Sequence, residues 1–452
     1  MFQRFSSLVA GAPDAPAIIE GDSGAVVTRA ALLARANELA SELTRDGLRA
    51  GDAIAIQLPN SVDFIASFIA ALQLELIVFP IDRDAPEIEV AAILSHFGIK
   101  GLIYRADRQS TTAAISTRAT NDRPRVPSGA RLVKLTSGST GKPKGIVASE
   151  ANLIADAVNI CSTMGITPAD MNLGVIPLSH SYGFSNLVTP LLVQGTPLVV
   201  ANDYLPQCIV ELSNRYHCTV LPLIPMVFDH LTSVAHGELE TVRVALSAGA
   251  PLPQSTSRRF RERFGIDIHS FYGCSECGGI TYDRLGAAVE RGTVGAAMDN
   301  VTLELDNARL TVRSAAVALG HLYDANTFEP FEDGAFRTDD LIELRDDEVV
   351  LTGRAGDLIN TAGKKVNPRE IEAIVMQIEG VRQVKVYGEP AGARGEVVAA
   401  AVVATPNVTR EQVREYCRAR LSLHKVPRIV KLIESIPVDE RGKVKRAALA
   451  AL

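Results

Sequence analysis

The stretch TSGSTGKPKG, Thr136 to Gly145, places three glycines, two lysines and four hydroxyl residues side by side. Glycines let backbone N–H groups come close to an anion, and the hydroxyls of Thr136, Ser137, Ser139 and Thr140 can donate hydrogen bonds to it. Lys142 and Lys144 can offset its charge. The chemistry suits a loop wrapped around phosphate. It is not a Walker loop, because Pro143 follows Lys142 where a serine or threonine would be required. A flexible linker is the other reading. Linkers seldom follow a core strand directly, however, and rarely frame lysines with residues such as Gly141, Pro143 and Gly145.

A second spacing with chemical potential is CSEC, which sets Cys274 and Cys277 in a C-x-x-C arrangement. One such pair is half a zinc site, and Cys161, Cys208, Cys218 and Cys417 supply no second pair at ligand spacing. A redox dithiol stays open on spacing alone.

The elements around these residues follow from hydrophobic periodicity. Leu32, Leu33, Ala36, Leu39, Ala40 and Leu43 recur at helical spacing, and Gly51–Asp52 then turns the chain into the apolar run AIAIQL. Phe64, Ile65, Phe68, Ile69 and Leu72 predict a second amphipathic helix, followed by the buried strand LIVFPI, so a βαβ unit with a parallel sheet is expected. The strand RLVKL, Arg131 to Leu135, leads straight into the glycine-rich stretch. TPLVVA and CTVLPLIP continue the alternation of strands and helices, which predicts a doubly wound α/β architecture. Beyond about residue 350 the texture changes. Asn367 caps a helix with Pro368 at its first position and Ile371, Ile374, Val375 and Ile378 on one face. VRQVKVYG and EVVAAAVVAT read as strands and TREQVREYCRARL as a helix, which together predict a small α+β domain.

Bulk composition limits the function classes. A chain of 452 residues suggests roughly three compact units or fewer large ones. With 47% apolar residues, 5% aromatic and no tryptophan, it is an ordinary globular composition. The balance of 46 basic against 52 acidic residues gives −6 at neutral pH, so no global field draws it to nucleic acid or anionic membrane. The longest apolar run, Phe64 to Leu72, is far short of the ~20 residues of a membrane span. No convincing secretory signal is seen, and six cysteines make no disulfide framework, so a cytoplasmic protein is expected.

The string T-S-G-S-T-G-x-P-K-G resembles the phosphate loop of the acyl-adenylate-forming superfamily, which includes acyl-CoA synthetases, adenylation domains of peptide synthetases and beetle luciferase. PLSHSYGF, SAGAPL, FYGCSE, GTVG, FRTDDL, GRAGDLINTAGKKVNPREIE and IPVDERGK follow in that family's order. The resemblance implies a large N-terminal adenylation domain of doubly wound sheets with a small β subdomain, residues 1–353. A hinge at 354–357 and a mobile C-terminal lid domain at 358–452 would complete the chain.

The resemblance also implies roles. Thr136, Ser137, Gly138, Ser139, Thr140, Gly141, Lys142 and Lys144 would cradle the phosphates of ATP. Ser247, Ala248, Gly249, Ala250 and Pro251 would line the adenine pocket, and Tyr272 would stack on adenine beside Gly273. Ser275, in place of the usual threonine, would lie near the α-phosphate, and Glu276 would bind Mg2+. Asp340 and Arg354 would hold the ribose, and His180 would stand beside the acyl site. Asp357 would be the hinge, Gly363 would face the thiol's pantetheine arm, and Lys443 would be the mobile catalytic lysine. This reassigns Cys274 and Cys277 to the flanks of a phosphate motif. Departures from the family pattern are Asp339 in place of glycine and Asn360 in place of lysine.

The implied reaction joins a small carboxylic acid to a thiol. Acid and MgATP give an acyl-adenylate and pyrophosphate, and CoA or an acyl carrier protein's phosphopantetheine then displaces AMP. HSYGFS lacks the aspartate with which peptide-synthetase domains hold an α-amine, which disfavours amino acids. Tyr182, Phe184 and the Gly278–Gly279 pair suggest an apolar pocket for a fatty or aryl acid. The remaining alternatives are an adenylation domain for a non-proteinogenic amino acid or a carrier-protein-specific acid, and an inactive nucleotide-binding regulator.

Overall fold

The computed structural model describes residues 1–106, 113–120, 122–137, 143–306, 308–361, 364–390, 396–421, 423, 425–437 and 449. The chain forms two compact units, one of Met1–Glu304, Thr311–Phe336 and Arg345–Val349, the other of Leu305–Leu310, Arg337–Leu344 and Val350–Leu452. The fold is mixed α/β, with most strands in the first unit.

Two sheets organise the first unit. In the eight-stranded sheet the spatial order is Thr327–Pro330, Gly320–Asp324, Pro143–Ser149, Ala130–Ser137, Ile77–Pro80, Ala53–Gln57, Gly101–Tyr104 and Ala114–Thr117. Ala53–Gln57 pairs in parallel with both Ile77–Pro80 and Gly101–Tyr104, as the βαβ pattern requires. The crossover helix Val62–Gln73 starts at Ser61, whose hydroxyl accepts from the Phe64 N–H. It is not amphipathic as the periodicity suggested. Every residue from Phe64 to Leu72 is buried, because Ala66, Ser67, Ala70 and Ala71 are small enough for neighbouring elements to close over that face as well.

In the larger sheet the first unit supplies, in spatial order, Val26–Thr28, Pro16–Glu20, Leu198–Val200, Asn172–Gly174, Val220–Leu223, Val244–Ser247, Ile268–Cys274, Gly278–Tyr282 and Ala296–Ala297. The six from Pro16–Glu20 to Ile268–Cys274 are mutually parallel. Their C-terminal ends therefore open on one side, where open α/β sheets bind ligands.

The second unit contains the antiparallel pair Val381–Pro390 and Glu396–Ala404, with Ile429–Leu432 added in parallel. Helices Pro368–Val375 and Arg410–Arg418 cover it, and Ile371, Val375, Val386, Val398, Val413 and Cys417 form its core. Asn367 caps the first helix, as its sequence signature predicted, and Thr409 caps the second. Among the described residues no helix is long and apolar enough to cross a membrane.

Candidate active site

The described ends of the glycine-rich stretch lie on two paired antiparallel strands. Ala130–Ser137 pairs with Pro143–Ser149, Thr136 opposite Lys144 and Ser137 opposite Pro143. Gly145 is required by packing, since a Cβ there would lie 2.5 Å from Val133 Cγ1. Gly138, Ser139, Thr140, Gly141 and Lys142 lie outside the described residues, as do Gly363 and Lys443.

Beside this strand pair stands a residue that no motif had singled out. His321, on the strand Gly320–Asp324, places its Nε2 3.1 Å from Lys144 Nζ and 3.4 Å from Glu276 Oε1. Lys144 Nζ and Glu276 Oε1 are themselves 4.0 Å apart. Burial works to raise the Glu276 pKa. His321, the backbone and Lys144 outweigh it, and the carboxyl is held below its usual value. A lone histidine in GHLYD carries no pattern in sequence. Strand pairing alone brings it here.

Asn60 positions a second group. Its amide nitrogen lies 3.0–3.3 Å from the carbonyls of Gly174, Val175, Ile176 and Ala201, and its oxygen accepts from the Leu178 N–H at 2.9 Å. One side chain after a strand of the eight-stranded sheet thus fixes the exit of Asn172–Gly174 from the other sheet, where PLSHSYGF begins. His180 follows, with Nε2 3.3 Å from Asp82 Oδ2. The Ser181 hydroxyl meets that of Ser275 at 2.7 Å. Tyr182 hydrogen-bonds the Leu246 carbonyl at 2.9 Å. Gly183 has no room for a side chain, because a Cβ would fall 2.1 Å from the Pro177 oxygen. Phe184 opens a π-helical turn, Phe184–Val188, of the kind often found at functional sites. Its ring is fully buried edge-on against Phe68 at 4.9 Å, so Phe184 belongs to the core and not to a pocket wall.

The neighbouring parallel strands carry the remaining motifs. Val244–Ser247 ends in buried Ser247 and Ala248, after which Gly249, Ala250 and Pro251 form an exposed loop, with Gly249 at φ +87°. Ser247 pairs with Ser270 on Ile268–Cys274, which continues through half-buried Tyr272 to Gly273. A Cβ on Gly273 would strike the Gly278 carbonyl at 2.4 Å. Strand ends adjacent in space therefore carry His180, the Ser247–Pro251 segment, and Tyr272 with Ser275 and Glu276.

Residues 5–323 match the model of the AMP-binding enzyme family, and residues 370–443 match the AMP-binding enzyme C-terminal domain. The chain belongs to the AMP-binding enzyme family. A long-chain-fatty-acid–CoA ligase, FadD13, of Mycobacterium tuberculosis is 28% identical, over 97% of this chain and 95% of that protein. A 2-succinylbenzoate–CoA ligase of Listeria monocytogenes is 25% identical over 91% of each. Among solved structures, a fatty acyl CoA synthetase of Mycobacterium tuberculosis aligns with a TM-score of 0.78 and 25% identity, covering 100% of this chain and 97% of the other. The o-succinylbenzoate CoA synthetase of Bacillus subtilis, bound to an acyl-adenylate, shares the fold with a TM-score of 0.83 at 22% identity, over 99% and 97%.

The FRTDDL and GRAGD segments fall in the second unit, where Arg354 Nε donates to buried Asp340 Oδ1 at 2.7 Å. Asp339 is exposed and paired with Arg309 at 2.6 Å. Asp357 ends the short 3-10 turn Ala355–Asp357. Of the flanking cysteines, Cys277 is fully buried, and burial pushes its thiol well above the usual range.

Proposed function

We propose that this AMP-binding enzyme is an ATP-dependent carboxylic acid–thiol ligase that activates a fatty or aryl acid as its adenylate. The observation that carries the reading is the meeting of Lys144 on that strand pair with Glu276 after a parallel strand end, next to Ser275 and the His180 segment. Cation, carboxylate, hydroxyl and acid-site motif then share one mouth of the fold.

In the first half-reaction a carboxylate oxygen attacks the α-phosphorus of ATP and pyrophosphate leaves. Thr136, Ser137, Gly138, Ser139, Thr140, Gly141, Lys142 and Lys144 hold the phosphates. Ser275 donates to the α-phosphate, and Lys443 neutralises charge that accumulates as the bond forms. Ser247 to Pro251 and Tyr272 with Gly273 receive adenine, while Asp340 and Arg354 take the ribose. His180 lies beside the acid.

Glu276 fits Mg2+, because it is a mostly buried carboxylate held below its normal pKa and therefore ionised, which suits a hard cation. When bound, the metal would supply charge neutralisation on the phosphates. In the second half-reaction a CoA or carrier-protein thiol attacks the acyl carbon and AMP leaves. Asp357 serves as the hinge between 1–353 and 358–452, and Gly363 faces the thiol's arm. The relatives' names support an acyl or aryl acid and CoA.

The test is acid-dependent ATP–pyrophosphate exchange over a panel of fatty and aryl acids, followed by CoA against carrier protein as acceptor. Absence of exchange with every acid, in folded protein that contains Mg2+, overturns the reading.

A further inference from the structure

We propose that His321 is a positioning residue that keeps Lys144 and Glu276 apart, so that one stays available to phosphate and the other to metal. The proposal rests on the nucleotide reading above and adds a residue that neither the motifs nor the relatives assign.

The placement follows from strand register. His321 lies opposite Ile146, and Lys144 is two residues along the same strand, so the two side chains are diagonal neighbours on one face. Thr136, opposite Lys144, shares that face. The imidazole is buried, with the rings of Phe331 and Phe336 nearly perpendicular to it at 4.7 and 5.8 Å and Tyr323 at 6.0 Å. It has little freedom to turn away.

A lysine and a glutamate 4.0 Å apart ordinarily close to a direct hydrogen-bonded pair at about 2.8 Å. Such a pair would consume the phosphate's cation and the metal's ligand together. Here Nε2 of His321 stands within reach of both. A ring nitrogen either accepts one hydrogen bond or donates one. Accepting from Lys144, it holds the ammonium by a neutral partner that a phosphate displaces more easily than it would a carboxylate. Donating to Glu276, it orients the carboxylate once Lys144 has moved to the phosphate. Either arrangement prevents the ion pair from collapsing.

Two substitutions test this. His321→Phe retains a ring among aromatic neighbours but removes the nitrogen, whereas His321→Gln restores a group that can donate and accept. Binding of ATP with and without Mg2+ is measured by calorimetry, alongside thermal unfolding and the KM and kcat of exchange. We expect His321→Phe to weaken MgATP binding about tenfold and to raise KM for ATP more than it lowers kcat, with His321→Gln recovering most of the loss. Equal MgATP affinity of wild type and folded His321→Phe overturns the spacer role and leaves the ligase reading intact. So does a folded His321→Gln as impaired as His321→Phe. Wild type that binds no MgATP overturns the ligase reading itself. Should His321→Phe fail to fold, His321→Gln decides alone, since a glutamine with wild-type affinity upholds the role and a tenfold loss refutes it.

Discussion

The hydroxyls of Ser181 and Ser275 lie 2.7 Å apart, joining the segment that follows one parallel strand to the segment that follows another. Ser181 thereby fixes the rotor of the hydroxyl proposed to face the α-phosphate. Ser181→Ala is expected to slow acid-dependent pyrophosphate exchange about three- to tenfold, the scale of one neutral hydrogen bond, and Ser275→Ala to slow it more. Exchange rates at saturating ATP check the order. A Ser181→Ala enzyme as impaired as Ser275→Ala would show that the pair does not act through Ser275.

Lys443 is assigned to the first half-reaction alone. Lys443→Ala should lower exchange by at least about a hundredfold, the scale of lost transition-state electrostatics, while still converting supplied acyl-adenylate and thiol to thioester. Single-turnover assays of each half separate the two, and equal loss in both would refute a lysine that serves only adenylation.

Stability should depend on acid through Asp170. Burial favours its neutral form, but the two-pronged ion pair with Arg243, the Thr167 N–H and the Thr219 hydroxyl prevail and lower its pKa to about 2. A carboxyl lowered on folding stabilises the native state above its unfolded pKa near 4 and loses that contribution as pH falls toward 2. Asp170→Asn should therefore cost about 2 kcal/mol at pH 7, with the gap to wild type narrowing below about pH 4. Urea unfolding across that range gives the answer, and a gap independent of pH would contradict it.

The cysteines offer a chemical control. Cys161 and Cys218 are buried and pushed up to about 12, and Cys277 is raised by burial as well, so these thiols should resist a thiol reagent in native protein. Replacing Cys274 and Cys277 together by serine should leave exchange intact, because the proposed reaction uses neither thiol, although a hydroxyl at buried Cys277 costs stability. Loss of exchange with release of zinc on denaturation would restore the metal reading of CSEC.

Much of this is legible in the sequence. Strands 53–57, 77–80 and 130–137 follow from short apolar runs, and the Asn367–Pro368 start of a helix from capping chemistry, because those signals are local. The burial of all faces of Val62–Gln73 was not legible, since small residues read as polar-side filler until the elements packed against them are known. Phe184 differs from expectation for a related reason, as an aromatic in a motif can serve the core on a neighbouring face. His321, Asp82 and Asn60 carry no local signal, because their partners are distant in the chain and brought near only by sheet order.

The grip of Asn60 has a practical side. It secures the start of PLSHSYGF through backbone groups alone, and Gly183 is pinned against Pro177. Side chains inside those two anchor points can be exchanged without unseating the segment. Attempts to retrain the enzyme toward a different acid would do well to vary Tyr182, which lies between the anchors, and to leave Asn60 alone.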